Sequence, residues 1–351
     1  MIDFDLKSFV ISRILPQVQT PGQYMGGELN MVRKNHAEVR GKLCLAFPDA
    51  YTIGMSHHGL QVLYSLMNRR DDWVCERAFT PWPDMEQALR DHNTPLYSLE
   101  SFTPLNKFDV LGFSLQYEVC STNVLTMLDL GGIPFRAENR TARDPLVIAG
   151  GPCAQNPEPV APFFDLFVTG DGEPSLPVIC DMWLELRDGE ERLFDGDAGR
   201  QQRESLLAEM AKRLPFAYVP RFYDCVFEDG RFRSLAPNRP DIPATIEPSV
   251  ISDLDGIPLP TSPIVPYVEC VHDRIAIEIM RGCPWQCRFC QSTVIKRPLR
   301  IRSVDTIVNG ALESYRNTGF NEISILSLST SDYPHFEELV NRLKKEFRPL
   351  G

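Results

Sequence analysis

The sequence predicts an α/β fold on three observations. Short apolar strands alternate with helical segments from about residue 41 to 190, a proline-rich stretch interrupts the chain at 236 to 266, and a second strand–helix–strand–helix run fills residues 273 to 351. Strands that are apolar on both faces belong in a parallel sheet covered by helices on either side. The first region therefore reads as a Rossmann-like (flavodoxin-like) parallel sheet, whose sites lie at the carboxyl ends of the strands.

Each element follows from local pattern. Residues 1 to 40 are an N-terminal arm ahead of the first strand, "KLCLAFPD" (42 to 49), which closes in a turn. "HHGLQVLYSLMNRR" carries Leu60, Leu63, Tyr64 and Met67 at helical spacing. Then come the strand "WVCERAF", the helix "PDMEQALRD", the strand "DVLGFSLQY" and the helix "CSTNVLTMLDLGG". The strands "PLVIAGG" and "DLFVTGDGE" and the helix "PSLPVICDMWLEL" complete the region at about 190. From 191 to 272 a charged helix-like stretch precedes "RFYDCVFEDGRFRSL", where Asp229-Gly230 between alternating segments signals a hairpin. Eight prolines in the 31 residues from 236 to 266 forbid regular helix and predict a stiff, extended connector. Beyond it, "RIAIEIM" is a strand feeding a cysteine loop and "SVDTIVNGALESYRNTG" a helix. "EISILSLST" is the next strand and "PHFEELVNRLKKEF" the last helix.

Ten cysteines in 351 residues are too sparse for a disulfide scaffold, and "MIDFDLKSFV" opens without a leader pattern. The expected setting is the cytoplasm, with reduced thiols. No apolar run approaches the roughly 18 to 20 residues that cross a bilayer, so no membrane partner is expected. The formal charge of −11 repels polyanions and argues against bulk nucleic-acid binding.

The most specific motif is "RGCPWQCRFC" (281 to 290), with Cys283, Cys287 and Cys290 spaced by three residues and then two. The other seven, Cys44, Cys75, Cys120, Cys153, Cys180, Cys225 and Cys270, sit in apolar or strand-like contexts and read as small core residues. A structural zinc site shows two CxxC knuckles or a Cys/His quartet, whereas the histidine nearest in sequence, His272, lies eleven residues before Cys283. Three close thiolates without a fourth suit a 4Fe-4S cluster with one open iron, and zinc or accidental clustering is the alternative.

CxxxCxxC after the first strand of a βα barrel resembles the signature of radical S-adenosylmethionine (SAM) enzymes, here within "HDRIAIEIMRGCPWQCRFCQ". The resemblance implies that Cys283, Cys287 and Cys290 hold the cluster and that SAM chelates its open iron. One electron, from a flavodoxin- or ferredoxin-type reductant, then cleaves SAM to a 5'-deoxyadenosyl radical that modifies a substrate the sequence does not disclose. It implies that Phe289 packs beside the adenine. Where the family carries a GGE-like motif, this chain has "SLSTSDY", making Ser327, Ser329, Thr330, Ser331 and Asp332 the candidates for SAM contact, with an ordinary polar turn as the alternative. The family's partial TIM-type barrel has more βα units than the two found here. A fragment, or a partner chain that completes the barrel, is therefore expected, and the 351-residue chain alone is expected to be inactive in coupled chemistry.

The first region resembles the cobalamin-binding domain that precedes the radical domain in one large subclass. The resemblance places its DxHxxG motif on "DAYTIG" (Asp49, Tyr51, Gly54), its serine motif on "SLQ" (Ser114) and its glycine pair on Gly150 and Gly151. Glycines would let the corrin and its nucleotide tail approach the backbone, and a serine hydroxyl would bond the buried base. Tyr51 replaces the cobalt-ligating histidine, so cobalamin bound without a protein histidine ligand is the expectation. His57 and His58 read as solvated or capping groups at a helix start. "GDGE" (170 to 173) lines the corrin site or forms a turn with a helix-start acid. "KRPLRIR" (296 to 302) gathers Lys296, Arg297, Arg300 and Arg302 as a solvated or salt-bridged loop, or as a steering patch for a tRNA-type substrate. The competing class is a non-catalytic Rossmann-like binding module with a barrel remnant.

Overall fold

The computed structural model describes residues 5–350. Five parallel strands, β1 (Gly41–Phe47), β2 (Trp73–Phe79), β3 (Val110–Ser114), β4 (Leu146–Gly150) and β5 (Leu166–Val168), form one sheet in the order β2-β1-β3-β4-β5. A sixth, β6 (Ala217–Tyr218), adds antiparallel to β5. That order is flavodoxin-like, with the strand order reversing between β1 and β3, where ligands of such sheets bind. β2 is buried at every residue and β1 at all but Lys42, as the continuous apolar runs require. Helix α1 (His58–Asn68) packs with α4 (Gly172–Asp188), while α2 (Pro83–Asp91) packs with α3 (Ser121–Leu130).

The sheet does not stop at 190. Helix α5 (Gly196–Arg213) packs against α4 and leads directly into β6. Its charged sequence conceals a buried side, where Leu206, Leu207, Met210 and Ala211 are covered. Arg203 is buried there too, bonding Asp165 at 2.7 Å, and Asp165 also pairs with buried Arg140. The first unit thus runs to Tyr218, beyond the expected edge at 190.

The hairpin is β7 (Tyr223–Glu228) against β8 (Arg231–Pro237). Asp229 and Gly230 at its tip have φ of 50° and 71°, the left-handed pair that a two-residue turn of this twist demands. The proline-rich segment is extended, as expected, yet it is packed as a strap rather than strung as a free linker. Ser249 bridges to Gly170, Leu254 and Leu259 are buried, and Val265 bridges to Leu29 of the arm.

In the last region β9 (Ile275–Glu278) pairs in parallel with β12 (Ile323–Leu326). The predicted strand 274 to 280 breaks after Glu278: Met280–Arg281 is a separate strand, β10, paired antiparallel with β11 (Arg300–Ile301). The cysteine loop is therefore closed at both ends by one short strand pair. Helix α6 (Val304–Thr318) packs on β9 and α7 (Phe336–Phe347) packs on α6, and Ile275, Ile277, Ile279, Ile307 and Val308 form a second core. Ser303 caps α6 by accepting from Thr306 N, and Gly319 ends it at φ 73°. Among the described residues no helix is long and apolar enough to cross a membrane.

Candidate cofactor cavity and cysteine loop

A cavity of 520 Å³ opens between the two units. On the sheet side it is walled by the carboxyl ends of β3, β4 and β5, by Leu45 of β1 and by the first turn of α1. On the other side stand Glu278, Met280 and Arg281 of the strands leading into the cysteine loop, Ser292 and Lys296 behind it, and Ile325 to Leu328 at the end of β12. It lies at the reversal point of the sheet, where the fold alone places a ligand.

Ser114, Gly150, Gly151 and Ser327 all line this cavity, as do Gly170, Asp171, Gly172 and Glu173 of "GDGE". A Cβ built on Gly150 would meet nothing nearer than Val168 at 4.0 Å, so the wall there is open to a ligand. Gly151 has φ 101°, and a Cβ on it would strike the Leu115 carbonyl oxygen at 2.6 Å. A glycine is required at that turn.

Asp49, Tyr51 and Gly54 are not brought to the cavity. Residues 51–54 form a helical turn that rolls Tyr51 under β2, where its hydroxyl donates to Glu28 at 3.0 Å and its ring packs on Phe79 at 5.3 Å. Asp49 instead accepts from the Tyr117 hydroxyl. A Cβ on Gly54 would overlap the Phe79 ring, which gives this glycine a packing role. After Leu45 the chain next reaches the cavity at His57 and His58. His57 caps α1, its Nδ1 accepting from Leu60 N at 3.1 Å, so the capping reading holds. Both rings are half-buried, and burial pushes the His57 pKa down to about 4 and lowers that of His58. His58 Nε2 is buried without a partner among the described residues. Their place between the first strand of a parallel sheet and the helix that follows it was the one signal on offer.

Arg281, two residues before Cys283, holds the units together. It bonds both oxygens of Glu278 at 2.9 and 2.8 Å, both of Glu173 at 2.6 and 3.1 Å, and Asp171 at 3.0 Å. Arg300, its partner across the β10–β11 pair, reaches the other oxygen of Asp171 at 2.5 Å. Burial opposes these charges. The bonds to Glu278 and Glu173 nonetheless raise the Arg281 pKa, and Asp171 and Glu278 are held below the usual carboxylate range. Both ends of the cysteine loop are thus clamped to the start of α4. The basic segment is turned inward accordingly: Arg300 and Arg302 are buried, and Arg302 donates to the strap carbonyls of Leu254 and Ile257 at 2.6 and 2.8 Å.

Gly282, with φ 92°, lets the chain enter the loop where a side chain would strike the Lys296 carbonyl at 2.7 Å. Cys283, Cys287 and Cys290 are free thiols, half-buried, exposed and half-buried. Cys290 N donates to the Cys287 carbonyl at 3.1 Å and Thr293 Oγ1 to that of Cys290 at 2.8 Å. Among the described residues no group of three or more His, Cys, Asp or Glu side chains is gathered as a metal site. The donor set is nevertheless three unpaired thiols within eight residues, which suits an iron–sulfur cluster. Trp285 Nε1 donates to Asp332 at 2.6 Å and Ser329 bonds the same carboxylate, tying the loop to the turn after β12. Ser327 shares a 2.9 Å hydrogen bond with Thr330. Phe289 is 92% exposed and does not line the cavity.

The sheet-end cavity and the cysteine loop fall largely within two family matches. Residues 59–220 match the model of radical SAM proteins, N-terminal, and residues 277–350 match that of the radical SAM superfamily. The chain belongs to the radical SAM superfamily and carries the N-terminal domain that accompanies it. An uncharacterized protein of Methanocaldococcus jannaschii, MJ0966, is 28% identical over 257 residues, covering 72% of this chain and 46% of that protein. The chain thus spans about half the length of that curated relative. Among solved structures, the radical SAM methyltransferase TsrM from Kitasatospora setae, with cobalamin and a 4Fe-4S cluster bound, aligns at a TM-score of 0.47 and 15% identity, over 89% of this chain and 52% of that one. The same enzyme with tryptophan and a SAM analogue aligns at 0.45 and 13%, over 88% and 51%.

Proposed function

We propose that this chain is the cofactor-bearing part of a radical SAM enzyme that uses a corrinoid. Cys283, Cys287 and Cys290 hold the 4Fe-4S cluster, and the turn from Ser327 to Asp332 contacts SAM. The cavity at the sheet ends takes the corrinoid's nucleotide tail. The cluster, when bound, supplies the electron that cleaves SAM. The chain's own residues do the rest. The Arg281 and Arg300 clamp holds the stems of the cysteine loop beside the cavity, Gly150 leaves the wall open to a ligand, and Leu45, Phe113, Ile148 and Val168 give it apolar surface.

The observation that carries this reading is the cavity itself, 520 Å³ at the reversal point of a flavodoxin-like sheet and closed by the strands that lead into the cysteine loop. A corrinoid beside a SAM-binding cluster suits transfer of a methyl group to an unactivated carbon, and that is the reaction class we assign to the whole protein. The test is anaerobic reconstitution with iron and sulfide, with cobalamin present. Co-elution of cobalamin with the reconstituted chain, and release of 5'-deoxyadenosine or methylated product on reduction, supports the reading. Cluster assembly with no retained corrinoid would reduce it to a radical SAM protein with an empty-handed Rossmann-like domain.

A further inference from the structure

We propose that Lys296 is the anion anchor of the cavity and binds the phosphodiester of a corrinoid's nucleotide tail; this rests on the corrinoid reading above. Lys296 follows the single helical turn Ser292–Ile295 behind the cysteine loop, and it lines the cavity. The other cations at the cavity are committed. Arg281 spends its donors on Glu278, Glu173 and Asp171, and Arg300 on Asp171 and on the carbonyls of Ile251 and Lys296. The carboxylates are committed too, since both oxygens of Asp171, Glu173 and Glu278 accept from those arginines. The Lys296 ammonium is left with no hydrogen bond or ion pair among the described residues.

An ammonium taken partly out of water without a partner is costly, and burial lowers its pKa. Asp171, Glu173 and Glu278 attract it from a distance while Arg281 repels it, and none of them bonds it. A bound anion supplies the missing partner. The rest of the cavity describes what carries that anion. Leu45, Phe113, Ile148 and Val168 make an apolar wall fit for a flat heteroaromatic base, and Gly150 lets it approach the backbone. The ligand class is a planar base linked to a phosphate. The carboxylate of SAM is the other anion at hand, but none of Cys283, Cys287, Phe289 and Cys290 lines this cavity. Ser327, at the turn that we assign to SAM, does line it, so the SAM titration below separates the two anions.

The test uses the reconstituted chain, Lys296→Met and Lys296→Arg, each titrated with cobalamin and with cobinamide, which has the same corrin without nucleotide or phosphate, and with SAM. Circular dichroism confirms that each variant is folded. Lys296→Met is expected to weaken cobalamin about 10- to 100-fold, the worth of one charge-assisted hydrogen bond, and to leave cobinamide and SAM unchanged. Lys296→Arg is expected to retain most of the cobalamin affinity. Equal losses for cobalamin and cobinamide, no loss, or a loss confined to SAM would each overturn the assignment. A parent chain that binds cobinamide and cobalamin equally would also overturn it, while one that binds neither would remove the corrinoid reading itself and the anchor with it.

Discussion

Gly150 and His57 show how single residues set the cavity's properties. The open space over Gly150 means that Gly150→Leu should fill the cavity rather than strain the sheet. The expected result is loss of cobalamin uptake with a melting temperature within a few degrees of the parent. A large fall in melting temperature would instead place the glycine in the packing, as at Gly54. For His57 the folded pKa of about 4 lies below the unfolded value of about 6.5, so the unfolded chain binds the extra proton first. Its contribution to stability is therefore complete above pH 6.5 and is lost as pH falls toward 4, at up to about 1.4 kcal/mol per unit. His57→Gln should flatten that part of the stability–pH curve, which urea unfolding between pH 4 and 7 measures. Neither histidine's position was legible in the sequence. A helix-start pair reads as solvated or capping until the sheet order shows that the start of α1 also faces the cavity.

Elements were more legible than sites, for physical reasons that differ from one to the next. β1 and β2 were readable because burial on both faces needs unbroken apolar runs, and the hairpin because Asp229-Gly230 supplies two left-handed residues. The role of α5 was hidden, because burying Arg203 depends on Asp165, 38 residues earlier, and no local pattern records that pairing. The strap was half readable: its prolines exclude helix, but the burial of Leu254 and Leu259 is tertiary. The clamp at the loop stems was also hidden, since Arg281 and Arg300 read as loop charges until "GDGE" is folded against them. Arg281→Met should leave Glu173 and Glu278 buried without their main partner and cost about 3–5 kcal/mol. Urea unfolding measures this. A cost below 1 kcal/mol would mean that water or movement already relieves those acids.

At the scale of the whole molecule, two units of different origin in the sequence share one cavity and one ionic clamp. The fold class was legible because it follows from the alternation of strand and helix, and the cysteine triplet because its spacing is local. The cavity was only partly so. Ser114, Gly150 and Gly151 end strands and line it, while of the residues expected beside them by resemblance Tyr51 and Gly54 pack on Phe79 of β2 and Asp49 bonds Tyr117. The central claim is that the cysteine loop assembles an iron–sulfur cluster open to SAM. Electron paramagnetic resonance of the anaerobically reconstituted, dithionite-reduced chain, recorded with and without SAM, tests it most directly. The account predicts a reduced 4Fe-4S signal whose shape changes on adding SAM, and which is absent when Cys283, Cys287 and Cys290 are all alanine. A signal that survives the triple substitution, or one that SAM leaves unchanged, would contradict it.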